Sequence, residues 1–124
     1  MGEARESVLQ HIGNAFIWSA AGVKTAWQNE LAFRAEAIII TIMMPVGLWL
    51  GRSAAERALL TASCLLILVT ELLNSAIESV VDRIGTERHE LSGRAKDMGS
   101  AAAFFSMLTA AIVWALIAFD RFWG

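Results

Sequence analysis

Three apolar runs, residues 31–50, 58–81 and 98–119, are each long enough to cross a lipid hydrocarbon core of about 30 Å as a helix of about 20 residues. The third carries no charge, and the second carries only Glu71 and Glu78. The first is the weakest, with Arg34 and Glu36 in its opening turns and Pro45 interrupting it. Lipid offers no hydrogen bonds to an open backbone, so only helices or closed barrels span it. The chain shows none of the period-two alternation of a barrel strand. The predicted fold class is therefore all-α: a polytopic membrane protein of one domain, residues 1–124, with three transmembrane helices and short connectors. Composition agrees, because 56 % hydrophobic and 18 % charged residues would leave apolar surface exposed on a soluble chain this small.

The remaining residues narrow the function classes. A single cysteine, Cys64, excludes a disulfide scaffold and a cysteine-cage zinc site. The formal net charge of −2 lacks the basic excess that nucleic-acid binding needs. Glu3 and Glu6 make the start unlike a secretory signal, and Glu6 occupies the position where a myristoylation pattern has Ser or Thr, so the start is expected to be retained and not acylated. Over residues 8–28, Val8, Ile12, Phe16, Val23 and Trp27 recur at helical spacing apart from Gln10, Asn14 and Lys24. That pattern predicts an amphipathic helix lying in the membrane interface, anchored by Trp18 and Trp27.

Basic residues give the orientation. Arg5, Lys24, Arg34, Arg83, Arg88, Arg94 and Lys96 fall on one side of a three-span topology, and Arg52, Arg57 and Arg121 on the other. Seven against three predicts a cytoplasmic N-terminus and an external C-terminus. The sequence further predicts a short outer turn at Gly51-Arg52-Ser53 and a larger inner loop from Arg83 to Lys96, with Gly85 as a helix C-cap and Ser92-Gly93 punctuating that loop.

The chemistry concentrates in residues 70–98. On a helix Glu71, Asn74, Ser75, Glu78 and Asp82 form one polar stripe on an apolar rod. At 1.5 Å per residue, Glu71 lies roughly 16 Å from Asp82, inside the membrane. An ionisable side chain there costs about 3 kcal/mol on insertion scales, which makes it a functional candidate. The bland alternative is polar glue between helices. That serves for one glutamate and less well for two with an asparagine between them. Glu30 and Glu36 stand at the start of the first span, where Glu36 is expected to snorkel to the interface. Carboxylates near a membrane surface suit a hard cation such as magnesium, which usually joins one or two of them to substrate phosphates. His89, Arg94, Lys96 and Asp97 supply phosphate-binding chemistry nearby. No GxxxxGK[ST] or GxGxxG is present, so a nucleotide site is neither a P-loop nor a Rossmann turn. The GxxxG of Gly47 and Gly51 indicates close helix approach or the end of a span.

The segments ELLNSAIESVVDRIG (71–85) and HELSGRAKDMGSAA (89–102), with a supporting NELAFRAE (29–36), resemble the small integral-membrane diacylglycerol kinases of bacteria, over about residues 15–119. The resemblance implies transfer of the ATP γ-phosphate to the primary hydroxyl of diacylglycerol, giving phosphatidic acid. It implies Glu71 as general base and Glu30 and Glu78 as Mg²⁺ ligands, with Asn74, Lys96 and Asp97 as further polar residues of the active site; Asp82, His89 and Arg94 join them as substrate- or nucleotide-binding candidates from their place on the stripe and in the charged segment beside it. It also implies a homotrimer in the bacterial inner membrane, with sites between subunits. Undecaprenol kinases share the acidic second span and are the alternative within enzymes. A small proton- or cation-coupled carrier, which would also keep glutamates inside a bundle, is the alternative from another class.

Overall fold

A computed structural model describes residues 7–124. The expected unacylated start and the contribution of Arg5 to the basic count lie outside the described residues. Four helices follow one another: α1 Val8–Asn29, α2 Leu31–Leu50, α3 Ala54–Ile84 and α4 Glu90–Trp123. The last three are long and apolar enough to cross a membrane, as the hydropathy pattern requires.

Local chemistry sets each boundary. The Ser7 hydroxyl accepts from the Gln10 N–H at 3.2 Å, while the Gln10 side chain accepts from the Ser7 N–H at 3.0 Å, a reciprocal cap that starts α1. A single extended residue, Glu30, with φ −114° and ψ 106°, separates α1 from α2 and turns the chain. Pro45 does not break α2, as the run of residues suggested it would. The helix continues through it, giving up only the bond that its missing N–H would have made. Ser53 caps α3 by accepting from the Glu56 N–H at 3.1 Å. Gly85 ends α3 as expected, although in extended rather than left-handed backbone.

The inner connector is shorter than the sequence indicated. Helix α4 begins at Glu90, where the His89 Nδ1 accepts from the Leu91 N–H at 3.1 Å, so only residues 85–89 remain outside a helix. Ser92, Gly93, Arg94, Lys96 and Asp97 therefore lie on the opening turns of α4 and not in a loop. Polar composition suggested a loop there, but the cap and the Glu90–Arg94 ion pair at 3.1 Å, one helical turn apart, favour a helix that overhangs the apolar span.

Helices α2, α3 and α4 pack as an antiparallel bundle. Gly47 lets α2 close on its neighbours, because a Cβ there would stand 3.2 Å from Leu60 Cβ and 3.3 Å from the Trp114 ring. Trp114 in turn donates its indole N–H to the Leu60 carbonyl at 3.2 Å, and Leu60 is fully buried. Gly51 packs against the backbone of Arg57, whose Nε reaches the Leu48 and Gly51 carbonyls at 3.0 and 3.1 Å and closes the end of α2. Arg52 pairs with Asp120 at this end of the bundle, and Lys96 pairs with Asp82 at the other. Helix α1 stands apart, with Ala26 its one buried residue and Leu9, Phe16 and Trp18 exposed.

Midway along α3 and α4, the Thr70 and Ser106 hydroxyls meet at 2.7 Å, with Ser106 buried. Each hydroxyl also lies within hydrogen-bond distance of a carbonyl of its own helix, Thr70 of Ile67 and Ser106 of Ala103, so one hydroxyl donates to its carbonyl while the other donates across the contact. Interhelical hydrogen bonds of this kind contribute about 0.6 kcal/mol on average and up to about 1.7 kcal/mol. A double-mutant cycle of Thr70→Val and Ser106→Ala, read by unfolding in micelles, is expected to give a coupling within that range. Additive losses would mean that the two hydroxyls do not help to hold α3 against α4.

Candidate active site

The acidic stripe of α3 runs along the bundle as helical spacing requires. Glu71 is buried, only 8 % exposed; Glu78 is half-buried; Asp82 is exposed. Glu71 lies within electrostatic reach of Glu78 and of Glu30, which is half-buried in the bend between α1 and α2. Glu36 joins this group. It lies within reach of Glu71, and its Oε2 is buried with no hydrogen-bond partner, so it does not snorkel to the interface as expected. Arg34 Nε is likewise buried and unpartnered. Helix α2 thus turns its first charged residues inward, which periodicity along α2 alone does not disclose.

Four carboxylates from three elements therefore share one region of the bundle. Burial without cations would be costly for so many like charges, so a region of this kind suits a positive ligand. All of its donors are oxygens, and the Asn74 Oδ1 on the same stripe is a buried acceptor without a partner. Oxygen donors of this type fit a hard cation. Among the described residues no three Asp, Glu, His or Cys side chains converge closely enough to enclose a metal by themselves. That is compatible with an ion held by one or two carboxylates and completed by phosphate oxygens.

Two clefts adjoin the stripe. One, of about 730 Å³, lies between α1 and α3, walled by Ser19, Val23 and Ala26 on one side, by Leu72 and Ser75 on the other, and by Glu30 at the bend. The second, of about 690 Å³, surrounds the connector and is lined by Asp82, His89 and Lys96 among others. Lys96 Nζ donates to Asp82 Oδ1 at 2.8 Å, and Glu78 is also within electrostatic reach of that ammonium, so Lys96 links the stripe to the second cleft. Lys96 lies ahead of the apolar part of α4. Its hydrogen bond and charge pairing with Asp82 raise its pKa above the ordinary lysine value.

The predicted site residues thus fall into two adjoining groups and two outliers. Glu30, Glu71, Asn74 and Glu78 belong to the first group, and Asp82, His89 and Lys96 to the second. Arg94 is engaged with Glu90 on the exposed side of α4, and Asp97 is exposed; neither lines the clefts. His89 spends its Nδ1 on capping α4, which leaves Nε2 as its free ring nitrogen.

Comparison with known proteins shows the family of the chain. The prokaryotic diacylglycerol kinase family matches over residues 17–118. A diacylglycerol kinase of Haemophilus influenzae is 50 % identical over 111 residues, covering 90 % of this chain and 94 % of the relative. That of Escherichia coli K12 is 48 % identical over 105 residues, covering 85 % and 86 %. One from Pseudomonas aeruginosa is 49 % identical over 109 residues, covering 88 % and 89 %. With the matched region enclosing the acidic stripe, both clefts, the first two spans and most of the third, the chain belongs to the prokaryotic diacylglycerol kinase family.

Proposed function

We propose that this multi-pass membrane protein phosphorylates diacylglycerol with ATP at the cytoplasmic face of the bacterial inner membrane. The observation that carries the proposal is the buried Glu71 within reach of Glu30 and Glu78, on a stripe that continues to Asp82, where Lys96 is paired at the second cleft. The lipid hydroxyl oxygen bonds to the γ-phosphorus as the bond from that phosphorus to the ADP oxygen breaks, and Glu71 accepts the hydroxyl proton. Glu30 and Glu78 would hold Mg²⁺ against the phosphates, and the ion would neutralise charge on the transferring group. Asn74 and Lys96 orient the phosphates from the stripe and the second cleft, with Asp82 steering Lys96. His89, Arg94 and Asp97 complete the nucleotide side, Arg94 and Asp97 from the exposed face of α4. The cleft between α1 and α3, mostly apolar with small hydroxyls, suits the glycerol end of a lipid entering beside Glu30.

The proposed assembly is a homotrimer with sites between subunits. It is favoured because Asp82, Arg94 and Asp97 remain exposed in a single protomer, where a neighbouring subunit could cover them. In the same proposal α1 lies in the interface, its Phe16, Trp18 and Trp27 exposed toward lipid. Diacylglycerol is preferred over undecaprenol because the relatives described above are diacylglycerol kinases.

Two expected outcomes test this. Cysteine labelling should place α1 and residues 85–89 on the cytoplasmic face and the end of α4 on the other; both ends of the chain on one face would contradict the topology. Glu71→Gln should lower kcat by roughly 10²- to 10⁴-fold, toward the low end because phosphoryl transfer depends mainly on positioning, with little change in magnesium dependence. Glu78→Gln should raise the magnesium concentration needed for half-maximal rate as well as slowing turnover. If Glu71→Gln keeps its kcat and loses only magnesium affinity, Glu71 is a metal ligand and not the base.

A further inference from the structure

Helix α4 carries two interior glycines, a residue that weakens helices and therefore invites a packing reason. A Cβ on Gly93 would meet nothing within 4 Å. Gly99 is different: it is buried against α3, and a Cβ there would stand 2.5 Å from Asn74 Oδ1 and 3.5 Å from Asn74 Cγ. The Asn74 amide thus occupies the space that any other residue at position 99 would fill. Its Oδ1 is buried there without a hydrogen-bond partner, held by shape rather than by a bond. Lys96 lies three residues before Gly99, on the same side of α4, and its ammonium meets Asp82 of α3. The slot at Gly99 therefore fixes the amide one helical turn from the lysine that reaches the second cleft.

We propose that Gly99 is a positioning residue of this kinase: its missing side chain opens the slot in α4 that sets the Asn74 amide on the acidic stripe between Glu71 and Glu78. This rests on the role proposed for Asn74 above. Because the obstructing atoms belong to the far end of a flexible side chain and not to backbone, a methyl group at position 99 displaces the amide and leaves the bundle assembled. A misplacement of about 1 Å in a group that orients reactants can cost up to about 10²-fold in rate.

The test uses full-length Gly99→Ala, Asn74→Ala and the double variant in mixed micelles. Gly99→Ala should assemble as the parent does, shift the side-chain amide NMR resonance of Asn74 in the ligand-free protein, and lower kcat roughly 10- to 100-fold with KM for diacylglycerol kept. Adding it to Asn74→Ala should cause no further loss, since the group it displaces is already gone. An Asn74→Ala chain with parental kcat would overturn the role of Asn74 and this inference together. An impaired Asn74→Ala beside an unimpaired Gly99→Ala would overturn the inference alone, as would fully additive losses. A Gly99→Ala chain that fails to assemble would overturn it as well, because the glycine would then serve backbone packing.

Discussion

The cost of holding carboxylates inside an apolar bundle governs this structure. Glu71 is buried at a depth where lipid surrounds the helices, and Glu36, Glu78 and Glu30 stand close enough to add their charge. An ionised group in such surroundings must be partnered, neutralised or given access to water and a counter-charge. The bundle solves this by bringing the acids together at the end that also carries Lys96, where two clefts open beside them. The far end carries its own ion pair of Arg52 and Asp120, with Arg121 over the Trp49 ring at 5.6 Å. It has no comparable gathering of buried acids among the described residues.

The apolar half of the molecule is built to keep that region in register. Gly47, Leu60 and Trp114 bring α2, α3 and α4 together toward the Gly51 end, and the Thr70–Ser106 contact ties α3 to α4 beside Glu71. Hydroxyls in the spans such as those of Thr41, Thr61, Ser63 and Thr109 bond a carbonyl of their own helix, and few wholly buried side-chain nitrogens or oxygens among the described residues lack a partner. The exceptions are Arg34 Nε, Glu36 Oε2 and Asn74 Oδ1, and two of the three lie on or against the acidic stripe. Unsatisfied buried groups are rare in ordinary packing, and their presence here fits a region made to receive a ligand.

Much of this was legible in the sequence because a membrane leaves few choices. Apolar run length fixed the three spans, and the three-and-four spacing of Glu71, Asn74, Glu78 and Asp82 placed them on one face before any contact was known. What escaped depends on contacts between helices. Glu36 read as a snorkelling residue because nothing along α2 shows that it turns toward Glu71. The opening turns of α4 read as a loop because their polarity masked a helix supported by the His89 cap and the Glu90–Arg94 pair. The pairing of Gly99 with Asn74 joins residues 25 positions apart and has no local signature.

The central claim is that the acids of α3 serve phosphoryl transfer to diacylglycerol and not ion passage or simple cohesion. The most direct measurement supplies purified protein in mixed micelles with γ-labelled ATP, magnesium and either diacylglycerol or undecaprenol, and follows the label by lipid analysis. Label carried into phosphatidic acid, only when magnesium and diacylglycerol are both present, is the predicted result. Label recovered only as inorganic phosphate, or transferred to the polyprenol and not to diacylglycerol, would contradict it.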